Sequence, residues 1–230
     1  MGRRKKEPRG VHRENIASAA SALFMEKGIA ATSMDDIAKA AGYSKATLYV
    51  YFEDKEEIAG ILVLKSMKKL YSYISDALTQ QEATKARYDF ICRGLVQYQE
   101  EFPFYFSLVL DKINIDFESH DYLPEEKETY QVGEEINKKL KHFLISGMEK
   151  GDLRGDLEVM PAIFAFWGML SGIIQLAANK EEYIKDAMGL SKDMFLEYGF
   201  SIIYNSIADK DCRPSCTQNN HTEEIERCPK

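Results

Sequence analysis

Cysteine is scarce in this chain of 230 residues and is unevenly placed. Three of the four cysteines, Cys212, Cys216 and Cys228, lie within the last nineteen residues, and the fourth is Cys92. A disulfide framework spreads paired cysteines along a short secreted chain, so this distribution argues against one. The tail spacing also fits no familiar zinc site, although thiols and the imidazole of His221 are zinc ligands. We therefore expect no metal and no cofactor.

Motifs of common enzyme chemistry are missing as well. The sequence contains no glycine-rich phosphate loop, no paired-histidine metal motif and no nucleophile elbow. Strand-like alternation of polar and apolar residues is scarce, and no Asn-Gly or Asp-Gly hairpin signal recurs. These absences favour an all-α protein that is not an enzyme.

A secretory signal is also lacking, because the charged N-terminus leads into an amphipathic segment. One apolar run, residues 160–178, has no charged residue and is long enough to cross a bilayer. It lacks basic flanks, and Ser171 and Gln175 interrupt it. We expect a helix buried in protein, no membrane association and a cytoplasmic location, with a membrane-anchored sensor as the alternative.

Charge is divided between the two ends of the chain. The net charge is −7, yet residues 1–55 hold ten Lys and Arg against seven Asp and Glu, whereas the remainder holds twenty against thirty. Most of the basic excess lies in the first thirteen residues. A basic head on an acidic body suits a protein that touches phosphate at one end.

Hydrophobic spacing and capping residues predict helices along most of the chain. The predicted helices span residues 12–27, 33–41, 44–52, 54–79, 84–102, 124–150, 160–178 and 191–208, with Ser191 as the N-cap of the last. They divide the chain into four parts. These are a basic flexible arm (1–11), a helix-turn-helix domain (12–55), a larger helical effector-binding and dimerisation domain (56–208) and a disordered tail (209–230).

The strongest local pattern is residues 32–55, TSMDDIAKAAGYSKATLYVYFEDK. Gly42 supplies the positive φ that a tight turn between two helices needs. Ile37, Ala38 and Leu48 would pack these helices together and leave the other face of the second one exposed. Hydroxyls, a cation and a helix N-terminus on one face suit a helix set into the major groove of double-stranded DNA.

Residues 12–58 resemble the N-terminal DNA-binding domain of the TetR family of bacterial regulators. The resemblance rests on the segments FMEKGIAATSM, DDIAKAAGYSKATLYVYF and DKEEI. It implies a ligand-responsive transcriptional regulator, a repressor by family tendency, that binds a palindromic operator as a homodimer and is released by a small-molecule effector. The DNA-binding residues it implies are Thr32, Ser33, Ser44, Lys45, Ala46, Thr47, Tyr49, Tyr51 and Lys55. Tyr43 departs from the pattern, because a smaller apolar residue often follows the turn glycine.

The apolar run carries a second signal, Gly168-x-x-x-Gly172 with Ala165 on the same face. Small residues at this spacing let two helices approach closely. The family resemblance implies that the last two long helices pair with their copies in a second subunit, although a monomer core helix is the alternative. The predicted dimer interface contains Ala165, Gly168, Gly172, Tyr198 and Ile202.

Aromatic side chains are frequent in the body. Such a stripe is usually core, but the resemblance implies a pocket between body helices that would take a small apolar or aromatic effector. The candidate pocket residues are Phe102, Phe106, Phe164 and Trp167. Two other functions stay open: an architectural or cell-division DNA-binding protein on the same fold without a small-molecule switch, and a helical carrier that has lost DNA binding.

Overall fold

The computed structural model describes residues 8–79, 83–110 and 123–209. These residues form ten helices and no strand, which confirms the all-α fold. The helices are α1 (Arg9–Lys27), α2 (Met34–Ala41), α3 (Lys45–Tyr51), α4 (Lys55–Thr79), α5 (Thr84–Glu101), α6 (Pro103–Leu108), α7 (Pro124–Glu149), α8 (Val159–Asn179), α9 (Glu181–Met188) and α10 (Lys192–Asn205). The predicted tail lies outside the described residues apart from Asp209.

The helices differ from the sequence predictions in several places. Helix α1 begins at Arg9, so the end of the predicted arm is helical. Helix α6 begins at Pro103, where the predicted helix over residues 84–102 ends, because proline is well suited to the first turn of a new helix. Helix α9 was not predicted, although Glu181 and Glu182 in its first turn and Gly189 at its left-handed C-cap are the usual signals of a helix.

The head, α1 to α3, folds around its own small core. Ile16, Phe24, Ile37, Leu48 and Phe52 are all almost fully buried there. The first turns of α4 complete this core with the side chains of Ile58 and Leu62. The arrangement fixes the direction of α3 relative to the other two helices.

Local hydrogen bonds set the ends of the short helices. Ser33 and Asp36 form a capping box at the start of α2, and Gly42 ends that helix with φ of 75°. Lys27 lies 2.7 Å from the Asp36 carboxylate. Its hydrogen bond is the largest cause that holds the pKa of Asp36 well below its usual range, and the Ser33 hydroxyl adds to the effect.

Helix α4 continues from the head into the body without a linker. Its second half carries Leu70 and Ile74 into a larger core that includes residues of α5, α7, α8 and α10. The chain after α7 turns back so that Leu153 packs directly on Gly147 of that helix. No larger residue fits there, because a Cβ on Gly147 would lie 2.6 Å from Leu153 Cδ1. Leu153 then pairs with Ala208 in an isolated antiparallel bridge, which joins this turn to the chain after α10.

Ser66 of α4 joins three helices near the middle of the molecule. Its hydroxyl donates to the Tyr105 carbonyl of α6 at 2.5 Å and lies 2.9 Å from the Tyr98 hydroxyl of α5. Tyr98 also lies 3.1 Å from the Ser66 carbonyl. Burial raises the pKa of Tyr98 to about 12, so the neutral hydroxyl is the form that makes these contacts.

The substitution Tyr98→Phe should therefore lower the free energy of unfolding by about 1 kcal/mol, because a buried hydrogen bond is lost. Urea denaturation followed by circular dichroism, at one fixed protein concentration, measures the change. Tyr183→Phe on α9, where the side chain is 64% exposed, is the matched control and should change stability by less than about 0.5 kcal/mol. Equal losses in the two variants would show that the hydroxyl at position 98 is not a structural link.

Candidate nucleic-acid interface and body cleft

Helix α3 presents the candidate recognition surface. Ser44 caps it, because its hydroxyl accepts from the Thr47 amide at 3.1 Å and also lies 2.7 Å from the Thr47 hydroxyl. Leu48 points into the head core and is fully buried. The opposite face is exposed and contains Ser44, Lys45, Ala46, Tyr49 and Val50. Val50 was not among the predicted contacts, although its exposed methyl groups lie on the same face.

Lys45 is held by a neighbour on α2. Its ammonium lies 2.8 Å from the Asp35 carboxylate, and both side chains are at least half exposed. The hydrogen bond with Asp35 is the largest cause that raises the pKa of Lys45. An exposed pair of this kind contributes little to stability, so the lysine is free to exchange Asp35 for a phosphate or a base edge.

Two further residues predicted to contact DNA, Thr32 and Lys55, donate hydrogen bonds to backbone carbonyls within the head. Thr32 is buried, and its hydroxyl donates to the Gly28 carbonyl at 2.8 Å, whereas the neighbouring Ser33 is exposed. The Lys55 ammonium donates to three carbonyls in the loop between α1 and α2, at 2.9 Å, 3.0 Å and 3.2 Å. Both residues therefore fix the loop that precedes α2, and a phosphate at Lys55 would have to replace one of these bonds.

Tyr43 packs at the back of α3. Its hydroxyl lies 2.7 Å from Nδ1 of His12, and its ring meets the His12 ring edge-on at a centroid distance of 5.8 Å. His12 also lies 5.3 Å from the ring of Tyr51, and Arg9 donates to the Val50 carbonyl. The departure at Tyr43 thus supplies an aromatic contact between α1 and the end of α3. Tyr51 is half-buried as a result.

Arg13 connects the head to the body. One guanidinium nitrogen donates to the Tyr51 carbonyl at 2.7 Å and to Glu57 of α4 at 2.8 Å, and the other donates to Glu125 of α7 at 2.8 Å. The guanidinium also stacks 4.3 Å from the centre of the Phe52 ring. Desolvation lowers the pKa of Arg13, but the hydrogen bonds to Glu57 and Glu125 outweigh it and leave the pKa raised. From the sequence, this arginine counts only toward the basic excess of the first thirteen residues.

A cleft of about 1010 Å³ lies beside this contact, between α4, α7 and α8. Two of the four candidate pocket residues, Phe164 and Trp167, line it. The other two, Phe102 and Phe106, do not line this cleft. Phe106 is fully buried in the core, and Phe102 packs against the rings of Tyr98 and Tyr105 and the ammonium of Lys69. The four candidate residues are therefore divided between the cleft and the core.

Helices α8 and α10 share an exposed apolar face. The predicted interface residues lie on it, and Phe164, Met169, Leu176 and Met194 extend it. The predicted residues Ala165, Gly168, Gly172, Tyr198 and Ile202 are all exposed. A Cβ on Gly168 or Gly172 would meet no atom of this chain within 4 Å, so nothing inside the subunit requires glycine there.

The expectation that α8 is a buried helix holds only in part. Among the described residues, α8 alone is long and apolar enough to cross a membrane. Only 22% of the residues in its most apolar 18-residue stretch are buried within the chain. Ile163, Leu170 and Ile174 pack inward, whereas the glycine face does not.

Metal-binding residues do not cluster in the part of the chain that the structure describes. No group of three or more His, Cys, Asp or Glu residues there could hold a metal ion. Cys92 is a buried thiol whose pKa is raised to about 12 by burial, so it is a poor nucleophile. Cys212, Cys216, Cys228 and His221 lie outside the described residues.

Comparison with known proteins finds a family match for the head. The family model "Bacterial regulatory proteins, tetR family" matches residues 16–60, which contain most of α1, all of α2 and α3, and the start of α4. The biofilm operon negative transcriptional regulator IcaR of Staphylococcus epidermidis is 29% identical over 132 residues, which are 57% of this chain and 60% of that protein. The match therefore spans about three fifths of the relative's length.

Two further comparisons cover more of the body. The probable transcriptional regulator ArpR of Pseudomonas putida is 27% identical over 183 residues, 76% of this chain and 83% of that protein. The crystal structure of the TetR family regulator PfmR from Thermus thermophilus superposes with a TM-score of 0.59 at 28% identity, covering 83% of this chain and 92% of that one. Residues 16–60 thus match the model of the TetR family of bacterial regulatory proteins, and most of the chain resembles the fold of one TetR family regulator.

Proposed function

We propose that this protein is a cytoplasmic, ligand-responsive transcriptional repressor that binds a near-palindromic operator as a homodimer. The observation that carries the proposal is the exposed face of α3, which a buried three-helix core holds in a fixed direction. The printed names of IcaR, a negative regulator, and ArpR, a probable transcriptional regulator, agree with it.

In this proposal α3 enters the major groove. Its N-terminal residues, Lys45 and Ala46, reach the base edges, and Thr47, Tyr49 and Tyr51 contact phosphates or bases at the groove wall. Ser44 and Ser33 place two capped helix N-termini near the phosphate backbone, where positive helix ends favour anions. Phosphate contacts fix the register, and the few base contacts select the sequence.

A second subunit completes the DNA-binding unit. A two-fold dimer would place two recognition helices about one turn of DNA apart, roughly 34 Å, and would therefore bind a palindromic site. The exposed apolar face of α8 and α10 is the surface that would be covered in the dimer. Gly168 and Gly172 allow the backbone of a partner helix to approach closely.

The cleft is the proposed effector site, and Arg13 is the proposed link from it to α3. The first turns of α4 and α7 form one end of the cleft, and Arg13 binds a carboxylate from each. Its third partner is the carbonyl of Tyr51, the last residue of α3. An effector that binds better when α4 and α7 are displaced would therefore shift the population toward heads that no longer match the operator.

The DNA-binding proposal is tested by selecting duplexes from a random library with the purified protein. We expect enrichment of a near-palindrome whose half-sites lie about one helical turn apart. Fluorescence anisotropy on the selected duplex, across a salt series, should show that the double variant Lys45→Ala, Tyr49→Ala binds at least about tenfold more weakly, because two groove contacts are lost. Lys180→Ala, an exposed cation next to α9, should bind as the wild type does. If the wild type enriches no sequence, or the two variants lose affinity equally, the proposed interface is wrong.

The dimer is tested with charged substitutions on its proposed face. Gly168→Glu and Ile202→Glu should convert a dimer of two 26.3 kDa chains into monomers, because a buried unpaired carboxylate is costly. Far-UV circular dichroism should stay unchanged, since Gly168 has open space around it within the subunit. Light scattering after size exclusion gives the mass. Met25→Glu on α1, where the side chain is 63% exposed, is the control and should remain dimeric. Dimers of unchanged mass in all three variants would move the interface elsewhere.

The link through Arg13 is tested by comparing two carboxylates on α7. Glu125→Gln removes the body's charge from Arg13 and should cost about 1–2 kcal/mol in urea denaturation, because both side chains of this pair are only about one-fifth exposed. Glu128→Gln, on the same helix as Glu125, breaks an exposed pair with Lys68 of α4 and should cost less than about 0.5 kcal/mol. Hydrogen exchange should also speed up at the amides of α3 in the first variant alone. Equal exchange in both would mean that Arg13 does not hold α3 to the body.

A further inference from the structure

The side chains that line the cleft change from charged to apolar along its length. Helices α4 and α7 both begin beside the head, as their shared contact with Arg13 shows, and both line the cleft with acidic first turns followed by mostly apolar residues. From Glu56 to Leu70 the α4 side spans about 20 Å at 1.5 Å per residue. The far end is lined by Met67, Leu70, Ile136, Leu140, Ile163, Phe164 and Trp167.

The end beside the head has a negative excess. Six carboxylates line it against two guanidinium groups, those of Arg9 and Arg13. The positive N-termini of α4 and α7 add about half a charge each, which leaves the end of the cleft clearly negative. The six carboxylates belong to Glu53, Asp54, Glu56, Glu57, Glu125 and Glu126.

Four of these carboxylates are already used inside the protein. Glu57 and Glu125 bind Arg13, Asp54 accepts from the backbone amide at position 57, and Glu126 accepts from the Leu123 amide. The two that remain are the side chains of Glu53 and Glu56, both exposed at the mouth. Among the described residues neither makes a hydrogen bond or an ion pair through its carboxylate.

The protein itself shows that this end of the cleft suits a cation. The Arg13 guanidinium is held by two carboxylates, one carbonyl and the face of the Phe52 ring, 4.3 Å from the ring centre. Carboxylates combined with an aromatic face are the chemistry that stabilises organic cations as well. A ligand with a positive group would meet the same surroundings next to Arg13.

We propose that the cleft takes an amphipathic organic cation, whose charged group lies at Glu53 and Glu56 and whose apolar part runs along α4 and α7 to Trp167. This inference rests on the proposed function, because it assigns a chemical class to the effector of that same site. An anion of the same shape would be repelled by the carboxylates and bind more weakly. A neutral molecule of that shape would gain only the apolar contacts and bind with intermediate affinity. A cation near Glu57 and Glu125 also competes with Arg13, which would weaken the contact between Arg13 and the end of α3.

Trp167 provides the test, because it is the chain's one tryptophan and lines the apolar end. Its fluorescence is titrated with decyltrimethylammonium, 1-decanol and decanoate, each below its micelle concentration and without DNA. We expect the cation to bind at least about tenfold more tightly than decanoate, with 1-decanol between them, and the preference to decrease with added salt.

Paired substitutions separate the charge at the mouth from the charge of the whole protein. The double variant Glu53→Gln, Glu56→Gln should weaken the cation about fivefold and leave 1-decanol unchanged, since exposed ion pairs are individually weak. The variant Glu181→Gln, Glu182→Gln removes the same charge from α9, outside the cleft, and should leave all three affinities unchanged. Equal affinity for the three probes, tighter binding of decanoate, or equal losses in the two double variants would overturn the inference. A failed duplex selection would instead count against the regulator itself, because this titration needs no DNA.

Discussion

Helix α4 belongs to two cores at once, and this constraint governs the rest of the molecule. Its first turns place Ile58 and Leu62 in the head core, and its second half places Leu70 and Ile74 in the body core. A helix is stiff over such a length, so the head cannot rotate relative to the body unless α4 moves with it. Arg13 adds a second connection on the other side of the head, through α7. In the proposed switch, α4 would hold the head in place while loss of the Arg13 contact would release α3.

In the proposed complex with DNA, residues on the surface of α3 would exchange their partners. Asp35 neutralises Lys45 in the free protein and belongs to the negative first turn of α2, which its helix dipole favours. DNA would compete with this carboxylate for the lysine, so part of the binding energy is spent on breaking an internal pair. Such an exchange lowers affinity for any phosphate surface and leaves more of the discrimination to groove contacts. The internal roles of Thr32 and Lys55 act in the same direction, because they stiffen the loop before α2 instead of adding charge to the surface.

The head could be predicted from sequence because its determinants are local. Ser33, Gly42 and Ser44 act within four residues of their partners, and Ile37, Ala38 and Ala41 follow helical spacing within α2. The cleft depends on contacts across the chain that no spacing reveals. Arg13 meets Glu125 from 112 residues away, and the aromatic run around Pro103 is divided between the body core, which contains Phe106, and the head core, against which Phe104 packs. The apolar length of α8 predicted burial correctly for one face only, since composition does not say whether the cover comes from the same subunit.

The open glycine face of α8 has a consequence for how such a protein behaves in a cell. In the proposed dimer, a subunit that buries so little of its most apolar helix would gain much of its stability from its partner, so folding and assembly would become one concentration-dependent equilibrium. Where dimers are in the minority, occupancy of the proposed operator would then rise with about the square of the subunit concentration. Halving the subunit concentration would lower that occupancy about fourfold, and new chains would be sensitive to proteases until they met a second copy. The number of molecules in the cell would thereby become a regulatory input alongside any small molecule.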